Sequence, residues 1–232
     1  MIYKLRSAGW FAEVGGIPVT KMRLPAGFYG GWPEAPIGAM WHFTAGCGGG
    51  AEVFGVLKAR GISAHFLVDR QGRIFQYVSL LDRAAHAFDA NHRYYGVEHA
   101  ATVANGPCPL TDAQLAASAK LMAGLVGFIK AHWGTTVPIR HVEGCRFAAG
   151  FKQHNDGLGS PEWPCPWNPN RHVDGLYRWS WTKYLKAITD AATPTTFVFQ
   201  GRRYRKLRNL LRRLRRRLRR ARGELHVEVS SR

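Results

Sequence analysis

Apolar positions fall in short runs between Gly and Pro breaks along most of the chain, with two longer stretches at a helical period. Residues 1–37 are rich in Gly and Pro and predict an irregular leading segment. The apolar run over 37–43 predicts a buried strand ending at His42 and Thr44. After Gly48-Gly49-Gly50, residues 51–59 carry Val53, Val56 and Leu57 at helical spacing. Residues 63–69 and 73–79 are β-rich runs around Arg70-Gln71-Gly72, a hairpin signal. A further short strand is expected over 95–100.

The clearest helix starts at Thr111, because Thr111-Asp112-Ala113-Gln114 is a capping box in which each end satisfies an orphan backbone N–H. Leu115, Met122, Leu125, Val126 and Ile129 form its apolar stripe, and the end is expected near Trp133-Gly134. A short strand over 137–141 then leads into a long loop, 144–174, dense in Gly, Pro, Asn and Trp; loops of that length inside a compact domain are functional or disordered. Residues 179–191 read as a closing helix. The order of elements predicts an α/β domain, a mixed central sheet flanked by helices. The expected boundaries are 1–37 for the leading segment, 38–191 for the domain, 192–200 for a linker and 201–232 for an appended tail.

Charge sharpens that last boundary. The chain carries +18, but residues 201–232 hold fourteen Lys and Arg against two Glu, which leaves +6 for the rest. The basicity therefore belongs to the tail, in which Leu207, Leu211, Leu214 and Leu218 fall on one stripe among arginines. That pattern predicts a cationic amphipathic helix for an anionic membrane or wall polymer. Nucleic acid, bound through phosphate without sequence preference, stays open, as does a solvated charge run with no helix.

Cys47, Cys108, Cys145 and Cys165 are widely and irregularly spaced, so free thiols are expected, although an even number leaves a bridge open. The first fourteen residues lack the apolar run of an export signal, and no stretch of 18 apolar residues suggests a membrane span.

Ten histidines invite a metal. His42 and His141 stand out because each ends a short apolar run, where a sheet would present it at a cleft. Hydrolytic zinc sites take three protein ligands and keep a fourth position for water, so a third donor is sought in the loop after His141.

Several segments resemble the type-2 N-acetylmuramoyl-L-alanine amidases, a family that includes phage lysins and is similar in fold to the peptidoglycan recognition proteins. They are Trp41-His42-Phe43-Thr44-Ala45-Gly46, the hairpin with Ser63-Ala64-His65-Phe66-Leu67-Val68-Asp69, Gly72 and Gln76-Tyr77-Val78, then Ala84-Ala85-His86-Ala87, Gly96-Val97-Glu98, and the start of the long helix. The likeness runs over about residues 38–190. It departs at Ala85, where the family has Trp, and in the interval after His141, which is longer than usual.

The resemblance implies a Zn2+ enzyme that cuts the bond between muramic acid and L-alanine in bacterial peptidoglycan. It implies His42 and His141 as zinc ligands and Glu98 as the acid/base. For the third ligand it offers Asp174, with His172 as the group that stabilises the transition state. Asp156 in His154-Asn155-Asp156-Gly157 is a rival, and Cys165-Pro166 resembles a Cys-Pro version of the motif. His65 and His86 are read either as substrate-binding groups or as packed cleft residues. The expected setting is a monomeric phage endolysin held in the host cytoplasm before lysis. A cellular wall-remodelling amidase and a non-catalytic peptidoglycan-binding module are the alternatives.

Overall fold

The structure, a computed structural model, describes residues 2–102, 106–156, 165, 180–192 and 196–199. The predicted tail over 201–232 and the residues Asp174 and His172 lie outside the described residues.

The leading segment is not irregular. It holds four strands, β1 (Ile2–Ser7), β2 (Trp10–Val14), β3 (Ile17–Lys21) and β4 (Tyr29–Gly31). Alternation is present, with Tyr3 and Leu5 buried and Arg6 exposed, but glycine turns chop it into pieces of three to six residues that read as loop. Beyond β4 come β5 (Gly38–Phe43), helix α1 (Gly50–Arg60), β6 (Phe66–Val68), β7 (Ile74–Gln76) and β8 (Asp82–Ala84). A short 3-10 helix (Phe88–His92), β9 (Tyr94–His99), α2 (Asp112–Trp133), β10 (Gly150–Gln153), α3 (Trp181–Ala192) and β11 (Thr196–Phe199) complete the order.

Nine of these strands form one mixed sheet in the order β10-β5-β9-β6-β7-β3-β2-β1-β11, and β4 pairs with β8. The run over 196–199, expected within a linker, instead pairs in parallel with β1. The hairpin forms as expected: β6 and β7 are antiparallel, and Gly72 takes φ +76 in the turn that joins them.

Helix α2 lies across one sheet face, where Ala39, Trp41, Phe43, Phe66 and Val97 share a core with Leu121, Met122, Leu125 and Ile129. The capping box is realised at Thr111 and Gln114. Gln114 does more than cap, because its Nε2 also donates to the carbonyls of Val68 and Ala100 and so pins the helix start to the ends of β6 and β9. Helix α3 packs on α2 through Tyr184 and Ile188.

Two expectations about the second half are corrected. The strand over 137–141 reduces to a single bridge from His141 to Phe151, and the strand at this sheet edge is β10, inside the stretch expected to be loop. The four cysteines are paired, Cys47 with Cys108 and Cys145 with Cys165. The second bridge closes the segment that contains β10 and His154. No described helix is long and apolar enough to cross a membrane.

Candidate active site

Side chains alternate across a sheet, so β5 sends Ala39, Trp41 and Phe43 toward α2 and Met40 and His42 to the other face. In the parallel pairing of β5 with β9, His42 stands opposite Glu98. On the other side of β5, Trp41 is in register with Gln153, and the His154 amide donates to the Trp41 carbonyl at 3.1 Å. His42, Glu98 and His154 therefore share one face at the C-terminal ends of three adjacent parallel strands, the end at which open α/β sheets bind ligands.

The rings meet closely. His42 Nδ1 lies 3.1 Å from His154 Nδ1, and His42 Nε2 lies 2.9 Å from His86 Nδ1. His86 Nε2 donates to the Tyr94 carbonyl at 3.0 Å. The loop that carries His86 is fixed by Asn91, whose Oδ1 accepts from the amides of His86 and Ala87, both at 2.7 Å. Glu98 is half-buried, with Oε2 shielded from solvent. Its negative charge helps hold the Tyr77 hydroxyl, buried beside it, in its protonated form after burial itself.

The ring nitrogens of His65 and His86 are engaged within the protein. His65 is 0% exposed; its Nε2 donates to the Asp82 carbonyl and its Nδ1 accepts from the Gly96 amide. Burial pushes its pKa down to about 3, so it is a neutral cross-link between β6, β8 and β9. His86 likewise spends both ring nitrogens inside the protein, on Tyr94 and His42. Burial, then the neighbouring His42 and His65, hold its pKa well below the usual histidine range.

His141 is not placed beside His42. Its bridge partner Phe151 is in register with Ala39, which puts His141 one strand beyond β10 and on the α2 face. There its Nε2 donates to both oxygens of Asp156, at 2.9 and 3.0 Å, and its ring stacks on Trp181 at 3.9 Å between centroids. Asp156 Oδ2 also accepts from the Gln153 amide at 2.8 Å, so this carboxylate closes the turn after β10. Cys165 is buried against the Asp156 carbonyl and bridged to Cys145.

His154, named from the sequence only as part of the Asp156 motif, is the histidine that the structure sets beside His42. The signal was its place at the end of Gly150-Phe151-Lys152-Gln153, mirroring His42 at the end of β5. Lys152 hid that signal: a buried lysine looks out of place in a strand, yet here its Nζ donates to the carbonyls of Val142 and Gly144 at 2.8 and 2.7 Å. Burial lowers its pKa to about 8, with Asp156 acting the other way.

Two imidazole nitrogens on one tetrahedral zinc, each at about 2.0–2.1 Å, are about 3.3 Å apart. The 3.1 Å between His42 Nδ1 and His154 Nδ1 fits two positions of such a site. Among the described residues no three His, Cys, Asp or Glu donors form a metal cluster.

Fold and cluster together define an α/β protein with a cluster of histidines at the C-terminal ends of parallel strands. Residues 33–156, more than half of the chain, match the family model for N-acetylmuramoyl-L-alanine amidase, and the chain belongs to this type-2 amidase family. No curated protein matches it in sequence.

Three solved structures share the fold. The AmiA hydrolase of Staphylococcus aureus, in complex with its ligand, has a TM-score of 0.57 at 14% identity, covering 76% of this chain and 84% of its own. The E90A mutant of PlyL has 0.53 at 12%, over 75% and 99%. A selenomethionine derivative of AmpD has 0.52 at 22%, over 79% and 99%.

Proposed function

We propose that the protein is a zinc-dependent amidase that hydrolyses the bond between the lactyl group of muramic acid and L-alanine in peptidoglycan. Family membership supports peptidoglycan amidase activity. The observation that carries the zinc reading is the facing pair His42 Nδ1 and His154 Nδ1, with Glu98 in register beside His42.

In this reading His42 and His154 hold the metal, and His154 replaces His141 in the expected ligand set. Asp174 remains the proposed third donor and His172 the proposed transition-state group. A zinc ion held there would supply Lewis acidity toward water and an amide carbonyl. Glu98 takes the proton from the attacking water and returns it to the departing amine of L-alanine, so one carboxylate acts first as base and then as acid. Its half-burial between β5 and β6 keeps it close to the cleft floor and limits competing hydration.

The role extends to lysis by a phage endolysin acting as a monomer, with the cationic tail on an anionic membrane or wall polymer. The test is release of stem peptides from purified peptidoglycan, with and without a zinc chelator. Chelator-sensitive release supports the reading. Binding without release overturns it in favour of a recognition module, and tail binding that is strongly salt-sensitive toward nucleic acid would redirect the tail's role.

A further inference from the structure

The three imidazoles form a chain with a direction. A carbonyl oxygen only accepts, so the proton of a neutral His86 sits on Nε2, facing Tyr94, and its Nδ1 carries a lone pair. That lone pair faces His42 Nε2 at 2.9 Å, which must then carry the hydrogen. His42 Nδ1 is left as the lone-pair nitrogen, and Nδ1 is the atom turned toward His154. The Tyr94 carbonyl thus decides, through one intervening ring, which nitrogen of His42 is able to bind a cation.

The surroundings of His86 are shaped for this contact. Asn91 fixes its backbone through two amides. Gly96 leaves the notch in which the ring lies, because a Cβ at Gly96 would stand 2.6 Å from His86 Cγ. Any other residue at that point of β9 would push the ring off its line to His42.

We infer that His86 is a positioning residue that selects the tautomer and ring orientation in which His42 presents Nδ1 for coordination. The inference rests on the zinc reading above. Partners of ligating histidines are commonly carboxylates, carbonyls or water; a neutral imidazole orients the ligand while adding no charge to the site.

The test is made on the full chain. In the metal-free wild type, long-range proton–nitrogen correlations of the His42 ring should show hydrogen on Nε2 only; hydrogen on Nδ1 overturns the inference with no variant needed. His86→Leu removes the acceptor and should leave His42 in mixed tautomers, with zinc affinity in competition with a chromophoric chelator lowered about 10–100-fold. His86→Asn, whose Oδ1 stands near the former Nδ1, should restore both readouts to near wild type. A folded His86→Leu protein with a single His42 tautomer and unchanged zinc affinity overturns the inference. A wild type that binds no zinc removes the metal reading instead, while the tautomer measurement still decides what His86 does.

Discussion

His99 donates from Nδ1 to the carbonyl of His42 at 3.0 Å, from the face of the sheet opposite the His42 ring. Its Nε2 is 2.7 Å from Ser118 Oγ on α2, which in turn meets the hydroxyl of Tyr184 on α3. All three side chains are buried. The end of β5 is therefore held through its main chain by both helices and through its side chain by His86. Replacing Ser118 with Ala withdraws the hydroxyl that faces His99 Nε2, and a buried polar atom that loses its partner costs about 1–3 kcal/mol. The urea midpoint of Ser118→Ala should fall by the corresponding amount with the m-value unchanged; a midpoint equal to wild type would show that this hydrogen-bond relay adds no stability.

His65 makes stability depend on pH. Its folded pKa of about 3 lies below the ordinary 6.5, so the unfolded chain takes up a proton that the native state refuses. This contribution is complete above pH 6.5 and is lost as the pH falls toward 3, at about 1.4 kcal/mol per pH unit. His65→Asn, which keeps an acceptor near the Gly96 amide, should show a shallower decline between pH 6 and pH 4. Parallel curves for variant and wild type would locate the acid sensitivity elsewhere.

His154 and His141 separate cleanly in a metal-content experiment. His154→Ala should be purified with little zinc, whereas His141→Ala should retain the wild-type stoichiometry. The second variant should instead lose about 1–3 kcal/mol of stability, because the buried Asp156 carboxylate gives up its ring donor. Zinc lost from His141→Ala and kept by His154→Ala would reverse the assignment.

Glu98→Gln keeps size and burial but removes the carboxylate proposed as the base. Stem-peptide release should fall about 10²–10⁴-fold, with zinc content and melting temperature close to wild type. Activity within a factor of a few of wild type would assign proton transfer to another group.

The elements with a long period or a strong boundary were legible before the structure. Helix α2 announces itself through Thr111 and Gln114, and α1 through Val53, Val56 and Leu57 after the Gly48-Gly49-Gly50 break. His42 stood out at the end of a short apolar run, and Glu98 through the resemblance of Gly96-Val97-Glu98; the structure sets the two in register on adjacent strands. The first three strands were not legible, since each is only five or six residues long, too short to establish alternation between the Gly and Pro breaks of this segment. Nor was β10, whose Lys152 is neutralised as a strand breaker only by two carbonyls distant from it in space until the chain folds. The position of His141 was not legible for the opposite reason. Val137 and Ile139 imitate a strand, yet their segment contributes one bridge and turns His141 away from His42.

The strand order has a consequence for any partner of the tail. Strand β11 closes the sheet at the edge opposite β10, so the chain leaves Phe199 seven strand spacings from β5, at most roughly 33 Å along the sheet. If the residues beyond 199 bind the envelope as proposed, attachment and cleavage would start from opposite parts of the sheet order and act as two separate handles on the same envelope. Avidity from the first raises the local concentration of substrate for the second without asking either to be tight.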